Sequence, residues 1–248
     1  MSAALLKKIT IVLASPKDSK NVGAVCRAMK NMGLRQLRLV KGCDRFHPES
    51  LKFAVSARDL LENSQVFPDL ASALADCTQT AGTTRRHGKY RQEILSPTEI
   101  AGIFRLQSGP ECRAAIVFGR EDSGLTTDEL SLCRWHATIP TAEEYGSLNL
   151  SQAVLVFCYE LGKAGESPGG GRDTELATSA EMESMFGQMG ACLQKIGFLN
   201  EQNPGHIMRS LRRVFFRSEL DSREVSILRG MLTQIDWASS DFDGRKRT

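Results

Sequence analysis

A chain of 248 residues, 41% hydrophobic and 25% charged, is long enough for one large domain, or a medium domain with an appendage, around a sizeable core. No apolar run approaches the roughly 18 residues of a membrane span, and Leu5-Leu6 before Lys7-Lys8 is too short for a signal peptide, so neither a membrane nor a secreted protein is expected. The net charge of +3 conceals an asymmetry: residues 1–60 hold 12 Lys/Arg against 4 Asp/Glu, and residues 111–160 hold 3 against 8. A basic N-terminal third points to a polyanionic partner, RNA or DNA first, against the plainer reading of scattered solvated lysines. Seven cysteines, at 26, 43, 77, 112, 133, 158 and 192, show no C-x-x-C spacing, and four histidines form no H-E-x-x-H. These counts predict reduced, mostly buried thiols in a cytoplasmic protein, without disulfides or a metal.

In chain order, Ile9–Ala14 reads as a strand and Val22–Met32 as a helix with Asn21 as its natural N-cap. Leu37–Val40 is a second strand, Pro48–Leu61 a helical region, Leu70–Ala75 a short helix and Thr78–Thr83 a strand. Pro97–Leu106 is helical and Ala114–Gly119 is the clearest buried strand. Thr127–Cys133 is helical, His136–Ile139 is strand, and a long helix opens on Ser147, Leu148 and Asn149 with Ser147 as a good N-cap. Its middle, Ala153–Tyr159, is apolar on every side and so needs cover all round, from its own core or from a second subunit. Strands alternating with helices specify an α/β domain with a mostly parallel sheet and helices on both faces, whose ligands bind beyond the carboxyl ends of the strands. Residues 1–164 form this domain, and 165–173 (GESPGGGRD) read as a flexible linker. Residues 174–248 carry three helical segments and no strand signal, a small all-α module.

Three polar constellations follow strands. In Asn21–Arg27 (N-x-G-x-x-x-R), Gly23 and Arg27 share a helix face, which could admit a phosphate beside the guanidinium or only a tightly packed neighbour. In Val117–Leu125 (V-F-G-x-E-x-x-G-L) a buried strand runs into a turn with two glycines. It lacks both the G-x-G-x-x-G spacing and the P-loop lysine, so it suits a backbone passing close to a cofactor, with Glu121 offered to a polar or cationic group. The strand ending in Thr83-Thr84-Arg85 leads into a basic loop with Arg86, Lys89 and Arg91, suited to a cofactor edge beside an RNA-gripping segment or to plain solvation. No Ser-His-Asp or Cys-His arrangement supports covalent catalysis.

N-x-G-x-x-x-R, V-F-G-x-E-x-x-G-L and I-P…S-L-N-x-S, in this order and each after a strand, resemble the SpoU branch of the SPOUT RNA methyltransferases over residues 7–163. Glu144-Tyr145 before Gly146-Ser147-Leu148-Asn149, with the C-terminal run from Asn203 to Leu232, is similar to the TrmJ-type tRNA ribose methyltransferases. Gly146 departs from the Ser more usual in that subgroup. The resemblance implies a C-terminal trefoil knot around S-adenosylmethionine, an exception to the rule against knots. It also implies a homodimer whose subunits share active sites, and 2′-O-methylation of tRNA nucleotide 32 in the anticodon loop. By resemblance the cofactor contacts Thr83, Thr84, Arg85, Gly119, Ile139, Gly146, Ser147 and Leu148. Arg27 is the catalytic arginine, with Asn21, Glu121, Ser147 and Asn149 lining the site.

A guanidinium with a pKa above 12 is seldom deprotonated, so the sequence leaves Arg27 open between two roles, base after phosphate-assisted proton loss or stabiliser of the forming alkoxide. In the helical module, Arg209, Arg212, Arg213 and Arg217 alternate with Leu211, Val214, Phe215 and Phe216. That pattern is expected to dock on the tRNA backbone, the plainer reading being a packing helix with solvated arginines. The competing functions are a non-catalytic RNA-binding protein on the same fold, the same chemistry on rRNA or another tRNA position, and, more distantly, a nicotinamide-dependent dehydrogenase.

Overall fold

A computed structural model describes residues 3–85, 94–106, 112–142, 146–163, 176–199 and 204–240. Its contacts divide the chain into units 1–173 and 174–248. The first unit runs α1 (Ala3–Leu6), β1 (Ile9–Ala14), α2 (Ser19–Asn31), β2 (Gln36–Val40), α3 (Pro48–Ala54), a 3₁₀ turn (Val55–Ala57) and α4 (Arg58–Glu62). It continues through β3 (Gln65–Phe67), α5 (Leu70–Leu74), β4 (Gln79–Thr83), β5 (Ile94–Leu95), α6 (Pro97–Leu106), β6 (Ala114–Phe118), α7 (Thr127–Ser131), β7 (Trp135–Ala137) and α8 (Leu150–Lys163).

The apolar runs become the middle of the sheet because every residue of β1 and β6 is buried, as expected of strands covered on both faces. Successive side chains point to opposite faces. Ile9, Ile11, Leu13, Ile116 and Phe118 therefore pack with α2, α4, α6 and α8, while Val12, Ala14, Ala115 and Val117 pack with Leu70, Leu74 and Cys133 on the other side. Each such fully buried aliphatic side chain contributes about 1.5–3 kcal/mol relative to exposure. The strand order is β3-β2-β1-β6-β4-β7-β5, and every pairing is parallel. The edge strands β3 and β5 were not anticipated from the sequence; at three and two residues they are too short to show a period.

Local chemistry moves three boundaries. α2 starts three residues earlier than expected, because the Asp18 carboxylate accepts the Lys20 N–H and caps it; Asn21 is inside the first turn, not the N-cap. α8 starts at Leu150, with Asn149 Oδ1 accepting the Ser151 N–H at 2.9 Å, so Ser147 precedes the helix and caps nothing. The helical region after Pro48 breaks at Val55, whose φ of 51° no helix accommodates.

The second unit comprises α9 (Ser179–Lys195), α10 (Pro204–Arg217) and α11 (Ser222–Ala238). Capping boxes at Thr178/Glu181 and Asp221/Glu224 start α9 and α11, and Met182, Met185, Phe186, Met189, Val225 and Leu232 form its core.

Candidate active site

The carboxyl ends of β4, β6 and β7, and the chain leading into α8, enclose a cleft of about 270 Å³. This is near the lower end of the roughly 300–1,000 Å³ usual for small-molecule sites. Its floor is apolar: Phe118, Leu125, Ala137, Ile139, Leu150 and Phe157, with the rings of Phe118 and Phe157 edge to face at 5.5 Å. Its rim is polar, with Thr83, Thr84 and Arg85 on one side and Arg120–Ser123 on another. Thr83 Oγ1 donates to the Val117 carbonyl at 2.9 Å and the Thr84 N–H to the Ala137 carbonyl at 2.8 Å. The tip of β4 is thereby tied to both neighbouring strands.

The turn after β6 closes on itself: Arg120 and Gly124 exchange both backbone hydrogen bonds. Gly119 sits inside this closure, and a Cβ there would overlap the backbone of Gly124 and Leu125, so the turn requires glycine at that position. Gly23 is glycine for a different reason. A Cβ on it would overlap the Ser50 carbonyl and lie 2.9 Å from the Ala54 nitrogen. It is the seat of α3 against α2, not a phosphate site.

Glu121 faces away from the turn towards α2. Its carboxylate accepts the Lys17 N–H at 3.0 Å, the Asp18 N–H at 3.1 Å and Asn21 Nδ2 at 3.0 Å. Partial burial pushes the carboxyl up, but the Asn21 amide and these backbone donors outweigh it and hold Glu121 below its usual value. Asn149 Nδ2 donates to Asn21 Oδ1 at 2.9 Å, so an ionised carboxylate orients one amide, which orients the next, which caps α8. Segments 100 and 128 residues apart meet in two hydrogen bonds.

The structure places all eight residues expected around a cofactor, Thr83, Thr84, Arg85, Gly119, Ile139, Gly146, Ser147 and Leu148, on the wall of this cleft, along with Glu121. Asn21 and Asn149 stand behind Glu121 in its hydrogen-bond chain and do not line the cleft. Arg27, on the exposed face of α2, does not line it either. Arg120, Thr138, Thr141 and Phe157 line the cleft and were missed. Arg120 was the unassigned position of its motif, and Phe157 looked like ordinary core. Arg86, Lys89, Arg91, Glu144 and the linker 165–173 lie outside the described residues.

α8, apolar along Ala153–Tyr159, is covered by its own unit on one side only. Val154, Phe157, Cys158 and Leu161 are buried in the unit's own core, whereas Leu155 and Tyr159 are 38% and 51% exposed. Among the basic residues of α10, Arg212 is engaged within its own unit. It forms a two-pronged ion pair with Glu183 (Nη2 to Oε2 2.7 Å) and stacks over Phe186 at 4.5 Å, which ties α10 to α9. Arg217 is exposed and Arg209 and Arg213 are half-exposed. All seven cysteines are unpaired, and burial pushes the Cys26, Cys77 and Cys158 thiols up to about 12. Among the described residues, no group of three or more His, Cys, Asp or Glu could hold a metal ion, and no helix is long and apolar enough to cross a membrane.

Comparison with known proteins places these features in context. Residues 8–159 match the profile of the SpoU rRNA Methylase family, and residues 180–246 match that of the tRNA methyltransferase TrmJ C-terminal domain. The chain is 37% identical over 242 residues to the tRNA (cytidine/uridine/adenosine-2'-O-)-methyltransferase TrmJ of Pseudomonas aeruginosa, covering 93% of this chain and 94% of that one. It is 36% identical over 239 residues to the tRNA (cytidine/uridine-2'-O-)-methyltransferase TrmJ of Cronobacter sakazakii, covering 94% and 97%. Among solved structures, TrmJ from Z. mobilis superposes with a TM-score of 0.83 at 34% identity, over 92% of this chain and 98% of that one.

Proposed function

This chain belongs to the SpoU methylase family and carries a TrmJ-type C-terminal domain, and from that premise we propose that it is a tRNA ribose 2′-O-methyltransferase using S-adenosylmethionine. The proposed target is nucleotide 32 of the anticodon loop. One observation carries this reading: the segments that follow β4, β6 and β7, two of them carrying motifs, converge on a single cleft with an apolar floor and a polar rim. Such a site fits a ligand that combines an aromatic base with charged groups. Thr83, Thr84, Arg85, Gly119, Ile139, Gly146, Ser147 and Leu148 would hold it. When bound, S-adenosylmethionine supplies an electrophilic methyl group on a sulfonium.

The chain's own residues do the rest. Phe118, Leu125, Ile139, Leu150 and Phe157 exclude water from the floor, which strengthens every electrostatic contact above them. Glu121, held ionised, fixes Asn21 and through it Asn149, two residues along the chain from Ser147 on the cleft wall. These groups align a ribose hydroxyl, a positioning effect that can be worth several kcal/mol. Arg27 serves by stabilising the charge that develops on the ribose oxygen.

Arg27 lies outside the cleft of its own chain, and Leu155 and Tyr159 are exposed on α8, which α2 packs against. Both facts support a homodimer in which a second subunit covers α8 and brings Arg27 to a cleft. The knotted path around the cofactor is part of the same proposal. The helical module would contact the tRNA backbone through Arg209, Arg212, Arg213 and Arg217, and the first unit would do so through Arg86, Lys89 and Arg91. Unpaired thiols and a tRNA substrate suit the reducing cytoplasm.

The test is methyl transfer from labelled S-adenosylmethionine to unmodified tRNA, followed by mapping of the modified nucleotide. Label in a 2′-O-methyl ribose at position 32, from a particle of twice 27.3 kDa, is the expected result. Label in rRNA only, or none with the cofactor bound, would replace this reading with one of its competitors.

A further inference from the structure

The turn between β6 and α7 is fastened in two opposite directions by two consecutive side chains. Glu121 ties it to the start of α2, as described. Arg120 reaches the other way: Nη1 and Nη2 donate to the two carboxylate oxygens of Glu129 at 2.9 and 3.0 Å, and Nη2 also reaches Ser15 Oγ at 3.2 Å, at the end of β1. Glu129 is also the third residue of α7, where its Oε2 accepts the Thr126 N–H at 2.7 Å and completes a capping box. Arg120 and Glu129 are mostly shielded, their side chains 24% and 18% exposed. Burial pushes Glu129 up, but the Arg120 guanidinium outweighs it and holds the carboxyl low, while Glu129 holds Arg120 high.

The fork geometry matters. A planar guanidinium meeting a carboxylate at two points fixes orientation as well as distance. Here the fixed object is the backbone of Gly119–Leu125, all of which lines the cleft. Apart from these two anchors the turn is held by the Arg120–Gly124 backbone closure, a long Arg120 Nη1 contact to the Gly124 carbonyl (3.4 Å), the Ser123–Asp122 side-chain contact, and an Asp122–Lys17 ion pair more than half exposed on both sides, a kind that contributes little.

We infer that Arg120 and Glu129 act as a positioning pair that holds the Gly119–Leu125 backbone in the shape that binds the methyl donor, so that the pair sets cofactor affinity without touching the tRNA. The inference rests on the proposed methyltransferase reading of the same cleft. A mispositioned wall costs affinity for the ligand that the wall contacts and leaves the other substrate's binding unchanged.

Glu129→Gln is the informative substitution because a glutamine still completes a capping box, so α7 keeps its start while the ion pair is lost. Calorimetry with S-adenosylmethionine, steady-state kinetics in both substrates and thermal melts would be run on the full chain and on Glu129→Gln, Arg120→Gln, Arg120→Lys and the Arg120→Gln/Glu129→Gln double variant. Each glutamine variant should weaken cofactor binding about tenfold, the size of one lost charge-assisted contact, with the KM for tRNA unchanged within about twofold. The double variant should bind no worse than the weaker single one, because both remove the same interaction. Arg120→Lys should recover part of the loss. Unchanged cofactor affinity in Glu129→Gln would overturn the inference. So would additive losses in the double variant, or parallel losses in both KM values that follow the melting temperature. An unsubstituted protein that fails to bind the cofactor would refute the methyltransferase reading instead, so the two failures are distinguishable.

Discussion

At the amino ends of the strands, Arg38 on β2 is nearly buried and grips Asp76, just before β4, at 2.5 and 2.8 Å. Arg113, just before β6, adds a third contact to Asp76 at 2.8 Å. At the carboxyl ends, Glu121 collects three donors and Arg120 grips Glu129 with the same two-pronged geometry. The ingredients are alike and the outcomes differ. At the amino ends the charged groups link segments already packed together, beside Ala73 and Cys77. At the carboxyl ends they fasten loops around a space and so keep it open. One end of a parallel sheet can therefore be specialised for stability and the other for ligand binding, because all the strand-to-helix turns gather at the carboxyl ends.

Three substitutions test how sharp this division is. The largest effect is expected from Gly119→Ala, since its Cβ would overlap the Gly124 backbone and force the turn open. Cofactor affinity should fall at least about a hundredfold, or roughly 2.7 kcal/mol, measured by calorimetry; binding within threefold of normal would mean the turn is not the cofactor wall. Next, Asp76→Asn strands the Arg38 guanidinium. Removing one partner of a buried pair costs about 3–5 kcal/mol. With Asp76 about a third exposed, a loss of about 2 kcal/mol in a denaturant titration is expected, with kcat/KM retained under native conditions. If activity falls further than stability, the two ends are coupled.

The smallest effect concerns pH. The Glu121 carboxyl is held below its ordinary 4.5 by the Asn21 amide and backbone donors, which outweigh its burial. The stability that it contributes is therefore complete above that value and is lost as pH falls through the depressed one. Cofactor affinity should decline on the acid side of about pH 4.5, and Glu121→Gln should flatten that part of the profile while lowering affinity at neutral pH. An unchanged acid limb in the variant would assign the dependence to another carboxylate.

Much of the site could be read from the chain. Uninterrupted apolar runs such as ITIVLA and AAIVF can only be central strands, and polar motifs directly after them are bound to collect at one edge. That is why the cleft residues were legible from Thr83 to Leu148. Arg120 was not, because its partner Glu129 looks like a capping residue of α7 and nothing in the spacing says that it also holds a guanidinium. Arg212's partner was illegible for the converse reason: a basic stripe on an amphipathic helix looks the same whether or not one of its arginines also meets an internal Glu183. The helix starts at Asp18 and Asn149 were shifted for a related reason, since several residues in each loop could cap and the winner was set by where the chain had to turn.

The sequence by itself determined the parallel α/β sheet, the helical module and the motifs of the cleft, because burial and periodicity are properties of contiguous residues. Only the tertiary structure decided which polar groups are spent on one another. Glu121 with Asn21, Asn149 with Asn21, Arg120 with Glu129 and Arg212 with Glu183 are pairings between elements. A hydrogen bond depends on distances of a few tenths of an ångström, which packing fixes only when the whole chain has folded.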